Sequence, residues 1–456
     1  MSDTIAAVAT APGPGAIGIL RLSGPEAVSA AAALFRPADG RPLEAHRPHS
    51  LVYGDLLGPG GEVIDRALAT FSRAPHSYTG EDTAEIQCHG SPMVLQLGLE
   101  ALFAQGARQA GPGEFTRRAF LNGRLDLAQA EAVADLIEAE DPAAVYQAAG
   151  QLSGALSRRV GAIYDGLAGL LAHFHAVLDY PDEDIDPFRA DTIRDGLGAA
   201  RAGLEALLAT YDRGRYIAGG VPCALVGRPN AGKSSLLNAL AGYERAIVTD
   251  VPGTTRDTVE VRCRLGGVTL RLIDTAGLRD TDDPVERLGV ARSRAAMEGA
   301  ALILVLWDGS VPPTEEDGAL LERAMELAPT ILVHTKADLP SAPVPVLSLD
   351  PMPPAVSVSA KTGQGLEELG AAVAALFPTA PGGAAGELLT NARQAGAARR
   401  ALAAVERAGA ALEAGVTPDA LLTDAEEALA ALGELTGTSV REDVTNQIFR
   451  RFCVGK

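Results

Sequence analysis

Eight residues, Gly227-Arg228-Pro229-Asn230-Ala231-Gly232-Lys233-Ser234, carry the clearest chemistry in this 456-residue chain. Glycines at the first and sixth positions let backbone N–H groups turn inward around an anion, and a Lys-Ser pair follows at once. The apolar run Cys223–Val226 precedes them, and Ser235-Leu236-Leu237-Asn238-Ala239-Leu240 reads as a helix after them. A strand, a glycine loop and a helix start in that order make a phosphate-binding loop, with the positive end of the helix dipole aimed at the phosphates. The reading assigns Asn230, Ala231, Gly232, Lys233, Ser234 and Ser235 to the nucleotide. Lys233 reaches the β- and γ-phosphates as a point charge, and the Ser234 hydroxyl coordinates Mg²⁺. Of the 39 basic residues only Lys233, Lys336, Lys361 and Lys456 are Lys. A chain that otherwise writes Arg has kept Lys where a compact ammonium serves and a planar guanidinium does not.

Further elements follow in the order a G domain requires. Gly253-Thr254-Thr255-Arg256-Asp257 supplies a switch threonine to Mg²⁺, expected to be Thr255. Asp274-Thr275-Ala276-Gly277 follows a strand, so Asp274 holds Mg²⁺ through water and the Gly277 N–H senses the γ-phosphate. In Thr335-Lys336-Ala337-Asp338 the Asp338 carboxylate accepts both guanine N–H groups while the Lys336 stem lies along the ring. Ser359-Ala360-Lys361 packs beneath the base and contacts its O6. Thr335 stands where this motif usually has Asn. The nucleotide is therefore GTP rather than ATP. Leu278 occupies the position of the usual water-orienting Gln and cannot replace it, which turns attention to Asp280, Asp282, Asp283 and Glu286 downstream. The Asn230 side-chain oxygen is placed to bind a monovalent cation beside the phosphates, neutralising charge in place of an arginine finger.

The chain is 47% hydrophobic and 21% charged, with a net charge of −19. Its length implies two or three domains. The acidic balance argues against a general electrostatic grip on nucleic acid or an anionic membrane. Four scattered Cys, at 88, 223, 263 and 453, fit a reducing compartment and show no metal-site spacing. The N-terminus lacks the features of a signal peptide, and the longest apolar run, Ala300–Trp307, is too short to span a bilayer, so a cytoplasmic protein is expected. Residues 1–118 place the apolar runs Ala16–Leu22, Ala67–Phe71 and Thr83–Gln87 between Gly/Pro turns, an α+β pattern. Residues 119–215 have helical periodicity. Residues 216–379 alternate the strand candidates Cys223–Val226, Leu270–Ile273, Ala301–Leu306, Thr330–His334 and Ala355–Val358 with helices, implying a mostly parallel sheet with helices on both faces. After a Pro/Gly-rich linker, residues 380–456 are helical again. The simplest topology is a P-loop GTPase domain inserted into a discontinuous helical domain, behind an N-terminal α+β domain.

Several segments carry a family likeness: Asp3–Ala7 with Gly18–Gly24, Pro75–Asp82, Pro112–Asn122, Leu125–Ala132 and the ending Phe452-Cys453-Val454-Gly455-Lys456. With the phosphate loop, they resemble the MnmE (TrmE) family of tRNA-modification GTPases along the whole chain. The resemblance implies a folate-binding N-terminal domain that forms a homodimer. It implies an FAD-dependent partner, MnmG (GidA), in a heterotetramer that adds an aminomethyl-type group to tRNA wobble uridine. The one-carbon donor would be 5-formyltetrahydrofolate or a related folate, and K⁺-dependent dimerisation of the G domains would activate hydrolysis. Residue by residue, it assigns Arg21, Glu85, Arg124 and Lys456 to the folate. It assigns Asn230, Thr249, Val251 and Thr254 to K⁺, Glu286 to the attacking water, and Cys453 to the functional thiol. Arg124 stands where the family often has Lys, and Val454 where it more often has Ile. The competing reading is a ribosome-assembly GTPase switch that binds RNA without modifying it. The N-terminal segments and Cys453-x-Gly455-Lys456 favour modification.

Overall fold

In the computed structural model residues 5–109 form one seven-stranded sheet. The structure describes residues 3–179, 190–243, 261–273, 294–343, 351–378, 385–415, 418–438, 448–449 and 452–455. Strands β1 (Ile5–Val8), β2 (Gly15–Ser23), β3 (Phe35–Pro37), β4 (Val52–Leu57), β5 (Val63–Ser72), β6 (Thr83–Gly90) and β7 (Arg108–Gln109) stand in the order β3-β4-β5-β6-β2-β1-β7. Neighbours run antiparallel except β1 and β7, which are parallel. Alternate residues, among them Leu20, Leu22, Ala69, Phe71, Ala84 and Ile86, join α1 (Ala27–Leu34) and α2 (Pro92–Ala104) in one core. The two-residue period then sends Arg21 and Glu85 to the other face. They sit directly opposite each other in the β2–β6 register.

A buried guanidinium organises the end of this sheet. Arg118, on α3 (Glu114–Leu121), is 8% exposed. It donates to the Asp3 carbonyl at 2.7 Å, the Asp3 carboxylate at 2.8 Å, Glu81 at 2.9 Å and Glu114 at 3.1 Å. Burial alone would raise the Glu114 carboxyl. Hydrogen bonds from Arg108, the Gly111 N–H and Arg118 outweigh it and hold the group below its ordinary range.

Helices follow: α4 (Leu127–Glu138), α5 (Pro142–Leu152), α6 (Ala155–Asp179), α7 (Ala190–Leu208) and α8 (Tyr211–Gly219). A second sheet then forms from β8 (Val221–Gly227), β9 (Val261–Leu265), β10 (Val268–Ile273), β11 (Leu302–Asp308), β12 (Thr330–Thr335) and β13 (Ala355–Val358), in the order β13-β12-β11-β8-β10-β9. Its pairings are parallel apart from the β9–β10 hairpin. Both faces of the central strands β8, β11 and β12 are covered, which is why these read as apolar runs. Leu302, Leu304 and Leu306 pack with α9 (Lys233–Tyr243) and α11 (Leu366–Leu376), while Ile303, Val305 and Trp307 pack with α10 (Glu315–Leu327). The parallel sheet clad on both faces is as expected from the sequence. The edge strand β9, with its short apolar–polar alternation Val261–Leu265, was not among the expected strands, and β11 and β12 run further than their apolar cores, to Asp308 and Thr335.

With α12 (Ala392–Glu413) and α13 (Pro418–Thr436), the chain divides into two compact units. One comprises residues 1–134, 157–197 and 403–456, the other 135–156 and 198–402. In the second, α5 grips the segment returning from the sheet through Gln147 and Gln151, which both donate to the Leu388 carbonyl. Asp141 caps α5 and accepts from the Thr269 hydroxyl of β10 at 2.7 Å.

Removing a buried cation leaves its carboxylates uncompensated, so Arg118→Ala should cost about 3 kcal/mol of stability, read as a fall in thermal midpoint. The wild type should lose this contribution as pH falls through the depressed folded-state pKa of Glu114, and hold it in full above the ordinary carboxylate range. The variant's acid limb should be correspondingly shallower.

Candidate functional site

Strand β8 ends at Gly227 and α9 begins at Lys233, so the phosphate loop spans the turn between a buried strand and a helix start. The loop needs left-handed backbone: Asn230 has φ +63° and Gly232 φ +86°. Asn tolerates that region and Gly is at ease in it. The Lys233 ammonium donates to the Gly227 and Arg228 carbonyls at 2.7 and 2.8 Å. Burial holds it below its usual range, and among the described residues no carboxylate pairs with it. A half-buried cation bonded only to neutral carbonyls is arranged for an anion.

The segments expected to read guanine close on the same place. Thr335, at the end of β12, is 5% exposed, and its hydroxyl lies 2.8 Å from the Ala231 carbonyl and 3.0 Å from that of Trp307. It thereby ties the phosphate loop to β11 and β12. Lys336 takes φ +61°, a demanding conformation for a side-chain-bearing residue, and its ammonium is held 2.6 Å from Asp308. Ser359 donates to Asp338 at 2.7 Å, and this bond holds the exposed carboxylate below its ordinary range. Gly232, Ser235, Thr335, Lys336, Asp338, Ala360 and Lys361 line one cavity of about 210 Å³, floored by Leu236 and Val358. Asn230, Ala231, Lys233 and Ser234 belong to the adjoining loop and first helical turn. Asp308 had no role in the sequence reading; its place at the end of a buried strand beside the guanine motif was the available signal. The positions Thr249, Val251, Thr254, Thr255, Asp274, Gly277 and Glu286 lie outside the described residues.

A second grouping forms within the first unit, where the C-terminal segment lies against the N-terminal sheet. Val454 bridges Pro112, and the Cys453 carbonyl accepts from the Gly113 N–H at 3.3 Å. Gly455 has φ +97°, and a Cβ there would lie 2.3 Å from the Val8 carbonyl oxygen, so only Gly fits. Arg21 donates to Glu85 at 2.8 Å and to the Gly455 carbonyl at 3.2 Å, with its guanidinium 5.9 Å from the Phe115 ring centre. Arg124 lies along Gly80, where an added Cβ would meet its Cγ at 3.2 Å. Arg21, Glu85 and the Cys453 segment thus converge, while Lys456 lies outside the described residues. Of the four cysteines, Cys88, Cys223 and Cys263 are buried and Cys453 is exposed. Burial pushes Cys88 up to about 11 and Cys263 up to about 12, leaving Cys453 as the accessible thiol. Among the described residues no His, Cys, Asp and Glu cluster is placed to hold a metal, and no helix is long and apolar enough to cross a membrane.

Comparison with known proteins agrees with this geometry. Residues 4–124 match the family model of the GTP-binding protein TrmE N-terminus, and residues 127–453 match that of the MnmE helical domain. The second match spans the phosphate-loop sheet, so helical segments of one family domain lie on both sides of it. The protein named tRNA modification GTPase MnmE of Chloroflexus aurantiacus is 49% identical over 459 residues, covering 100% of both chains. Proteins of the same name from a Roseiflexus species and from Symbiobacterium thermophilum are 47% and 45% identical, each covering 100% of this chain and 99% of their own. A phosphate loop opening on a cavity lined by Asp338 and Lys361, an N-terminal sheet capped by the C-terminal segment, and relatives matched from end to end lead to one conclusion: the chain belongs to the MnmE family of tRNA modification GTPases.

Proposed function

We propose that this chain hydrolyses GTP to GDP and phosphate as the nucleotide-driven component of a tRNA wobble-uridine modification enzyme. The observation that carries the reading is the single cavity joining Gly232 of the phosphate loop to Asp338 and Lys361 of the guanine-reading segments. In this reading the loop N–H groups and Lys233 hold the phosphates, and Asp338 accepts from the two guanine N–H groups. Thr335 keeps the loop in register with the base, and Glu286 orients the attacking water. Ser234 and Thr255 would hold Mg²⁺, with Asp274 acting through water and Gly277 meeting the γ-phosphate; the metal would neutralise charge developing on the phosphate oxygens. Asn230, Thr249, Val251 and Thr254 would hold K⁺, supplying a positive charge where other GTPases insert an arginine. G-domain pairing between two copies of the chain would complete that site.

The second grouping is proposed as the one-carbon site. Arg21, Glu85, Arg124 and Lys456 would hold 5-formyltetrahydrofolate or a related folate, with Cys453 as the functional thiol. The homodimer would act with the FAD-dependent MnmG (GidA) on tRNA in the cytoplasm. The domains serving these roles are proposed as residues 1–118, 119–215, 216–379 and 380–456. The convergence of Arg21 and Glu85 with the segment that bears the exposed thiol of Cys453, in a family whose members are named for tRNA modification, supports this over an RNA-binding switch without modification chemistry.

Three outcomes test the reading. Asp338→Asn replaces an acceptor oxygen with an NH₂ that opposes the guanine amino group but suits a xanthine carbonyl. GTP affinity should fall at least about tenfold while xanthosine triphosphate becomes a substrate, measured by nucleotide titration and phosphate release. GTP turnover should be about tenfold or more faster in K⁺ than in Na⁺; equal rates would remove Asn230 from cation binding. Cys453→Ser should abolish wobble-uridine modification, read by mass spectrometry of cellular tRNA, while leaving GTP turnover intact.

A further inference from the structure

The segment Pro75–Asp82 is held far more firmly than a surface loop requires. Ser77, 8% exposed, donates to the Glu81 carbonyl at 2.5 Å. Thr79, 1% exposed, shares a 2.7 Å hydrogen bond with Ser23, and its carbonyl accepts from Asn122 at 2.7 Å. Glu81 accepts from Ser23 at 2.8 Å and from the buried Arg118 at 2.9 Å. Residues 77, 79 and 81 are thus spent on internal bonds. Between them Tyr78 is turned out, 43% exposed.

That ring is itself fixed. Its phenol oxygen lies 3.0 Å from the hydroxyl of Thr116, which is fully buried on α3 next to Phe115. Arg21, over Phe115, is near enough for its charge to act on the phenol, partly offsetting the upward push of burial and helped by the Thr116 hydrogen bond. On the other side of the loop the Arg124 stem lies against Gly80. Arg124 in turn lines a cavity of about 760 Å³ with Arg117, Phe120 and Gln129. An oriented, exposed aromatic face beside the Arg21 guanidinium suits a ligand with a flat ring.

We propose that Tyr78 contacts the one-carbon carrier directly, its ring serving as the stacking platform for the flat pyrimidine ring of the pterin head. This rests on the folate reading above and adds a residue to it. Bonding of the phenol to Thr116 rather than to solvent fixes the plane of the ring before the ligand arrives, which limits the entropy lost on binding.

The test uses the full-length chain and 5-formyltetrahydrofolate as probe, titrated by calorimetry against wild type, Tyr78→Leu, Tyr78→Trp and Tyr78→Phe. Stacking needs a π-face, so Tyr78→Leu should weaken binding about tenfold or more, while Trp and Phe should stay within about threefold. GTP turnover, measured on the same samples, should match wild type in all three, while the thermal midpoint should fall slightly and alike in all three, since each loses the hydrogen bond to Thr116. Wild-type affinity in Tyr78→Leu would overturn the platform role and leave the folate reading standing. Equal weakening in Leu, Trp and Phe would overturn it in favour of a role for the hydroxyl alone. No binding by the wild type would overturn both readings.

Discussion

The hydroxyl of Thr335 bears the constraint on which the nucleotide site depends. It lies within hydrogen-bonding distance of two carbonyls, those of Ala231 in the phosphate loop and Trp307 in the neighbouring strand. A hydroxyl has one proton to give, so the two acceptors share it and must stay close together. The peptide plane makes the consequence directional. With the Ala231 carbonyl held toward Thr335, the Gly232 N–H of the same trans peptide points the opposite way. A Cβ on Gly232 would lie 3.4 Å from Thr335, so loop and strand are already at contact distance there. Thr335 thereby connects the phosphate loop to the segment proposed to meet the base, a task its place in that motif does not announce.

The sheet beneath makes so small a device sufficient. Parallel strands β8, β11 and β12 are apolar on both faces, and their register sets Gly227 beside Leu306, Trp307 beside His334 and Asp308 beside Thr335. Each strand delivers its polar end to the same edge. Asp308 and Thr335 are the last residues of their strands, and both turn to polar work: one receives Lys336, the other the loop. Ligands gather at the carboxyl edge of such sheets because there the chain leaves the apolar layers and can expose polar groups without burying them unpaired.

The N-terminal grouping is built by a different route. Antiparallel register alone places Arg21 opposite Glu85, and their ion pair is the local result. The C-terminal segment that carries Cys453 and Gly455 arrives from over four hundred residues beyond Arg21, through a bridge between Pro112 and Val454 and a glycine that tolerates close contact with Val8. Phe449 and Phe452, packed against Ala130 and Phe120, hold that segment by burying aromatic surface. An exposed thiol at Cys453 is thus set by apolar anchors on one side and by backbone bonds on the other.

By itself the sequence determined the elements whose signal is local. Glycine spacing with Lys233-Ser234 marked the phosphate loop, and unbroken apolar runs marked the buried strands. Asp338 and Ser359-Ala360-Lys361 pointed to guanine as the base, and short motifs at the two ends marked the family. The β9 edge strand escaped because its alternation of Val, Arg and Cys is stabilised by pairing with β10 rather than by its own composition. Partnerships across sequence were decided by tertiary structure alone: Thr335 with Ala231, Lys336 with Asp308, Arg21 with Gly455, and Tyr78 held to Thr116. Residue type states what a side chain can bond to, but which groups come within 3 Å of it is set by sheet register and packing, and these emerge only when the whole chain has buried its apolar surface.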